Sequence, residues 1–393
     1  LLKKKINKKN INSSENEYLL KKIFSQNIGM DVVGYGSYGE LHIDDIGRVL
    51  KPINYTEYQT PQGDKRRVIS TSSLREIAFM NMLNHPNICK LTDVDDKNVI
   101  MPYVGIPLSD YAQGGLSDIE ALPVIQQTLL GLTYMHDHGI VHCDIKPNNI
   151  MIDGNDHITV CDFNSSSLDG GESSSDICMW YRSLETMIGQ WDTSADVWAL
   201  GCTIYEIYSG SNLFGRFDNT EDVIQEIISR VRFSDDQLNL YGVQHRSEFR
   251  GLERPTKMRP DIFTVIQSMI QSDPNLRPSM RMVYFSLYGV EIPKYGLSNR
   301  LGQYNLINRL VLERKISKNT GMISTQLLER LSSEHGFGDT DVFQWCVAVI
   351  VSMLSSKPLN FYGAPKRIRK QVIGIDYGVM LQDVLHICNY QLI

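Results

Sequence analysis

Along residues 28–102 short runs rich in β-branched and aromatic residues alternate with turn residues, and one helical segment interrupts them. Residues 40–43 read as a strand, 44–47 as a turn and 48–53 as the antiparallel partner. In 73–83 the apolar positions Leu74, Ile77 and Met80 recur at helical spacing, and the opening Ser73-x-x-Glu76 predicts a capping box. From Leu108 onward the pattern turns helical. Leu122, Ile125, Leu129 and Leu132 form one apolar stripe, and Val197, Leu200, Ile204 and Tyr208 form another. Between them lies a polar stretch holding two short apolar runs, 150–152 and 158–160. The pattern predicts a small strand-rich lobe followed by a larger helical one. After Pro293 about one hundred residues follow, again helical in pattern, with no low-complexity linker before them.

Composition narrows the class. With 393 residues, 42% hydrophobic and 21% charged, the chain is neither disordered throughout, nor collagen-like, nor a pure disulfide scaffold. At ~150 residues per domain, two or three domains are expected. The net charge of −6 is unevenly spread: residues 1–22 carry seven Lys against two Glu, which leaves −11 on the remainder. Residues 1–24 therefore read as a basic, solvated extension, and direct nucleic-acid binding is not expected. The N-terminal lysines precede Asn, Ser and Glu rather than an apolar core, so no signal peptide is expected. The longest apolar run, 346–354, is too short to span a bilayer, and no membrane partner is expected. Seven Cys, an odd number without a metal-type double pair, suit reduced thiols and a soluble intracellular setting in cytoplasm or nucleus.

Candidate chemistry begins at Gly34, Gly36 and Gly39, a G-x-G-x-x-G that alone is a weak signal. A dinucleotide fold would need a helix after the last Gly, whereas here a strand follows. A glycine loop joining two strands leaves backbone N–H groups free to approach phosphates, and Lys51 on the next strand can contact α- and β-phosphate oxygens. A solvent-facing strand lysine is the plain alternative. Glu76 can serve as the cap's acid, as the carboxylate that holds Lys51, or as both. The decisive segment is His142-Cys143-Asp144-Ile145-Lys146-Pro147-Asn148-Asn149, followed by Asp162-Phe163-Asn164. Phosphoryl transfer needs a carboxylate to orient the attacking hydroxyl, which suits Asp144, and oxygen ligands for Mg²⁺, which suit Asn149 and Asp162. Lys146 can steady the transferring group.

In this order the residues resemble a eukaryotic-type serine/threonine protein kinase from about residue 28 to 290. The resemblance implies an α+β, bilobal fold with a β-rich N-lobe and a helical C-lobe over 25–292, with ATP and Mg²⁺ as cofactors and proteins as substrates. It adds Ser37, Met101 and Tyr103 to the nucleotide-binding set. Glu185 in Trp180-Tyr181-Arg182-Ser183-Leu184-Glu185 and Arg277 in Asp273-Pro274-Asn275-Leu276-Arg277-Pro278 are expected to form a buried structural ion pair. Asp196 in Asp196-Val197-Trp198-Ala199-Leu200-Gly201 is expected to anchor the catalytic loop. Ser72-Ser73-Leu74-Arg75-Glu76-Ile77 and the Trp-Tyr-Arg segment are most similar to the cyclin-dependent group. Residues 342–357 and 384–392 are similar to helices of a cyclin box. This implies an all-α cyclin-like module over 296–393 and a cyclin-like activator, intramolecular or separate.

The chain also departs from the family. Cys143 stands where an Arg is usual, Ser167 where another phosphate-binding Arg is carried, and only Arg75 remains of three; Ser173 falls at the usual phosphosite. Activity without loop phosphorylation is the expectation. Asn164 replaces the Gly of Asp-Phe-Gly and is expected to tolerate its unusual backbone angles, and Cys178 replaces a Thr that bonds the catalytic Asp and Lys. In the cyclin-like stretch Lys357 is kept, while its acid partner appears as Leu381. A pseudokinase or nucleotide-binding scaffold stands as the alternative, and a small-molecule phosphotransferase as a third reading.

Overall fold

The computed structural model describes residues 31–36, 39–59, 65–168, 178–245 and 247–295. The basic extension 1–24, Ser37, Ser173 and the cyclin-like stretch 296–393 therefore lie outside the described residues. The described chain forms two compact units, one of 31–84 with 90–103 and one of 85–89 with 104–295.

The first unit is built on a five-stranded antiparallel sheet of order β1-β2-β3-β7-β6. Its strands are β1 (Asp31–Gly36), β2 (Gly39–Ile43), β3 (Arg48–Pro52), β6 (Asp93–Val94) and β7 (Asn98–Pro102). The turn before β3 is closed by Asp44, whose carboxylate accepts from the Arg48 N–H at 2.7 Å and from Arg48 Nε at 2.8 Å. Strands β4 (Tyr55–Gln59) and β5 (Lys65–Ile69) make a separate hairpin that leads straight into helix α1 (Thr71–Met82). Ile77, Phe79 and Met80 of α1 are buried, as are Val49, Leu50, Val99 and Ile100 of the sheet.

The cap of α1 differs from the expected capping box. Ser70, not Ser73, is the N-cap, its side chain accepting from the Ser73 N–H at 3.2 Å. The chain is extended up to Ile69, so the helix starts three residues earlier than the Ser73 signal implies. Ser73 Oγ instead accepts from the Asn54 N–H at 3.0 Å, and the Glu76 carboxylate is engaged elsewhere.

The second unit is mostly helical. Helix α3 (Asp118–Asp137) follows the short β8 (Ile106–Pro107) and α2 (Leu108–Tyr111). It starts at Ser117, whose N–H donates to the Glu120 carboxylate at 3.0 Å. Ile125, Leu129 and Leu132 are buried along it, and Leu122 of the expected stripe is only half-buried. Helix α5 (Thr193–Ser209) was read as one apolar stripe, yet every residue from Ala195 to Ile204 is buried. A helix covered on all sides belongs to the centre of its unit and makes a rigid base for other groups. Above it in sequence lie β9 (Ile140–Val141), the hairpin β10 (Ile150–Ile152) with β11 (Ile158–Val160), β12 (Ser167–Leu168) paired with β9, and α4 (Leu184–Met187). Helices α6 (Thr220–Arg230), α7 (Asp235–Leu240), α8 (Pro260–Met269) and α9 (Met280–Tyr288) complete the unit. No helix among the described residues is long and apolar enough to cross a membrane.

Candidate active site

In the first unit Lys51 on β3 and Glu76 on α1 meet at 2.6 Å, Nζ to Oε1, with 5% and 2% of their surface exposed. Val49, Leu50 and Lys51 are buried in succession, so β3 is covered on both faces and this lysine is not a solvent-facing strand residue. A buried ammonium needs its partner to stay charged. Gly34 and Gly36 lie on β1, and Gly36 pairs with Gly39 where β2 begins. Gly39 has φ +143°, a backbone state in which other residues are strained, whereas a Cβ there would meet only Pro52 at 3.7 Å. The glycine is thus required by conformation rather than by space. Met101 lies on β7 and Tyr103 just beyond it, 45% exposed.

In the second unit the segment 142–149 is organised by one carboxylate. Asp196, fully buried on α5, accepts from the His142 N–H at 2.8 Å and the Cys143 N–H at 2.9 Å, and contacts His136 Nε2 at 2.9 Å. Cys143 takes φ +66° and Asp162 φ +68°, both in the left-handed region. A non-glycine residue held there costs about 1–2 kcal/mol, which the two bonds to Asp196 offset at Cys143.

That anchoring presents Asp144. Its Oδ2 is 2.6 Å from Lys146 Nζ and 2.8 Å from Asn149 Nδ2, which also donates to the Asp144 carbonyl at 2.8 Å. His142, which the sequence reading gave no role, ties this loop to the next. Its Nε2 lies 3.0 Å from the Cys161 carbonyl and its Nδ1 3.3 Å from the Asp144 N–H, a pattern satisfied by the neutral ring protonated on Nε2. Its ring also packs 5.4 Å from that of Phe163. Histidine two residues before Asp144 was the only available signal for this role.

Asn164 corrects the expectation placed on it. The left-handed residue is Asp162, not Asn164, which is buried and donates through Nδ2 to Asp162 Oδ1 at 3.0 Å. It holds the carboxylate, and its own buried Oδ1 has no hydrogen-bond partner among the described residues. Asn149 spends its amide nitrogen on Asp144, so Oδ1 is the atom it could offer to a metal. One carboxylate and one carboxamide oxygen are the hard donors Mg²⁺ takes when phosphates and water complete its shell.

Cys143 is packed in an apolar cluster with Val141, Trp191 and Ala195, 5% exposed. Cys178, half-buried, lines a shallow, narrow recess together with Cys143, Asp144, Tyr181, Arg182 and Trp191. Burial pushes its thiol pKa up, against the nearby Lys146 and Arg182. The Arg182 guanidinium lies 5.8 Å from the centre of the Trp191 ring.

Glu185 and Arg277 are joined bidentately, at 2.5 Å and 3.1 Å, and both are buried. Arg277 also donates to the carbonyls of Gln271 and Ser194, and stands 4.9 Å from the Trp198 ring centre. Ser183 Oγ donates to Glu185. The side chain of Arg75 lies outside the described residues.

Comparison with known proteins matches the Protein kinase domain over residues 47–288, a stretch that starts after the glycine loop. The chain is 24% identical to the probable CTD kinase subunit alpha homolog of Encephalitozoon cuniculi (strain GB-M1), covering 65% of this chain and 82% of that protein. It is 32% identical to the probable serine/threonine-protein kinase MRK1 homolog of the same organism, covering 42% of this chain and 56% of that protein. To cyclin-dependent kinase-like 4 of Mus musculus it is 31% identical, over 46% of this chain and 56% of that protein. The chain thus spans little more than half the length of the latter two. With a strand-rich unit carrying the Lys51–Glu76 pair, a helical unit carrying the Asp144 loop, and a family match over well over half its length, the chain belongs to the protein kinase domain family.

Proposed function

We propose that this chain is an ATP-dependent serine/threonine protein kinase of the cyclin-dependent group, transferring the γ-phosphate of ATP to Ser or Thr hydroxyls of proteins. The observation that carries the reading is the Asp144 carboxylate held at 2.6 Å by Lys146 and 2.8 Å by Asn149, which leaves a fixed acceptor for a hydroxyl proton with a cation beside it. Lys51, held by Glu76, would contact the α- and β-phosphates under the backbone of Gly34, Gly36 and Gly39, with Ser37 in the same loop. Met101 and Tyr103 would border the base. Asn149 and Asp162 would hold Mg²⁺, which when bound neutralises charge on the phosphates. The recess lined by Asp144, Tyr181, Arg182 and Trp191 would receive the acceptor peptide. The Asp-x-Lys arrangement at Asp144 and Lys146 supports Ser/Thr rather than Tyr as the acceptor.

Residues 296–393 are the second part of this proposal, as a cyclin-like module acting in cis on the kinase. Phosphate transfer from ATP to a generic protein substrate tests both parts. The comparison needs the intact chain, Asp144→Asn, and a chain ending at Tyr295. That end keeps the Tyr295 N–H that donates to Asp137 at 2.9 Å. Transfer by the intact chain should exceed that of Asp144→Asn by about 10²-fold or more. Equal transfer by these two would instead favour a nucleotide-binding scaffold. Equal transfer by the intact and shortened chains would remove the cis-activator.

A further inference from the structure

The recess beside Asp144 has Tyr181 and Arg182 in its wall, and that wall is tied to a loop to which no chemistry has yet been given. The Tyr181 hydroxyl donates to Glu206 Oε2 at 2.5 Å. Arg216 takes the other carboxylate oxygen, Nη2 to Oε1 at 3.2 Å. The same guanidinium lies over the Trp180 ring, 5.3 Å from its centre, and Trp180 Nε1 donates to the Phe217 carbonyl at 2.9 Å. Residues 180 and 181 are therefore joined to 206, 216 and 217 by four contacts that close on one another.

The loop that presents Arg216 is itself shaped. Asn212 Oδ1 accepts from the Phe214 N–H at 3.1 Å, and Gly215 sits at φ +73°, where a Cβ would come within 2.9 Å of the Phe217 ring. A guanidinium can serve both partners because it donates in its plane and stacks through its face; an ammonium can pair with Glu206 but cannot stack on Trp180. Cys143, which also lines the recess, is packed with Val141, Trp191 and Ala195.

We propose that Arg216 is a positioning residue for the protein substrate: by closing on Glu206 and Trp180 together it holds the 180–182 wall against which the acceptor segment lies. The inference rests on the kinase reading of that recess. Arg216 holds Glu206 and the Trp180 ring, groups to which no phosphate or metal role is assigned, so its effect is expected on the peptide rather than on ATP.

The test uses the full chain as wild type, Arg216→Ala, Arg216→Lys and Asp144→Asn, with the best acceptor peptide drawn from a degenerate Ser/Thr library. Peptide KM, ATP KM, kcat and thermal midpoint are measured for each. Arg216→Ala should raise peptide KM roughly three- to tenfold, with ATP KM and kcat within about twofold of wild type, and Arg216→Lys should recover only part of the loss. Wild-type turnover above that of Asp144→Asn, combined with an unchanged peptide KM in Arg216→Ala, overturns the positioning role and leaves the kinase reading standing. A joint rise of peptide and ATP KM with a lowered thermal midpoint assigns Arg216 to general stability and overturns it as well. A wild-type signal no higher than that of Asp144→Asn overturns the kinase reading, and the proposal with it.

Discussion

Arg277 grips Glu185 with both terminal nitrogens, Nη1 to Oε1 at 2.5 Å and Nη2 to Oε2 at 3.1 Å, across 92 residues of sequence. Two further donors go to the Gln271 and Ser194 carbonyls, so four of its five N–H groups are paired in a buried place. Such a pair contributes little against an apolar replacement of both partners and a great deal against loss of one. Glu185→Gln and Arg277→Ala should each lower unfolding free energy by about 3–5 kcal/mol, and Arg277→Lys should not rescue, since an ammonium cannot reach both oxygens and both carbonyls. Urea midpoints close to wild type for either single variant would contradict this.

Breaking the Lys51–Glu76 pair is expected to lower turnover as well as stability. Glu76→Gln removes the carboxylate 2.6 Å from a buried ammonium and leaves Lys51 without the partner that orients it. A drop of about 10²-fold in kcat/KM for ATP is expected, with helix content by circular dichroism unchanged. Retained kcat/KM would detach the pair from catalysis.

Cys143 bears on regulation. Because it packs with Val141, Trp191 and Ala195 instead of presenting a cation, Ser173→Ala should keep turnover within about twofold of wild type in the same peptide assay. Restoring the arginine is expected to do harm: Cys143→Arg drives a long charged side chain into that cluster and should cost more than about 3 kcal/mol. A large loss of activity in Ser173→Ala would show that a phosphate is needed after all.

Alkaline pH should destabilise the fold. Burial pushes the Tyr111 phenol up to about 12, and it raises the Tyr181 and Tyr208 phenols and the Cys202 thiol as well. Above about pH 9 the unfolded chain releases protons that the folded chain keeps, so stability is complete below the unfolded values and falls as pH rises through them. The urea midpoint should decrease between about pH 8 and about pH 10.5, and Tyr208→Phe should flatten part of that slope. A midpoint constant over this range would rule the effect out.

The segment proposed to be catalytic stands out in the sequence because residue types suited to phosphoryl transfer occur in order within 20 positions, Asp144, Lys146, Asn149 and Asp162. The strand-turn-strand at 39–52 was legible for a similar reason, since two short β-rich runs flanking a turn with Asp44, Asp45 and Gly47 are local signals. The start of α1 was not. Ser70 and Ser73 both stand three residues before a plausible partner, and only the extended course of β5 into Ile69 and the claim of Asn54 on Ser73 decide between them. Asn164 was misplaced because a left-handed angle can be supplied by either neighbour in a short turn, and here Asp162 takes it.

What the sequence alone determined, then, is which groups are available: a lysine on a strand, an acid on a helix, and an Asp-Lys-Asn-Asp series in a helical lobe. Which of them touch was decided by tertiary structure. Lys51 meets Glu76 across 25 residues, Arg277 meets Glu185 across 92, and Asp196 receives two amides from more than 50 residues away. A buried charge has to find its counter-charge wherever the packed core brings one, and that distance in sequence leaves no local pattern to read.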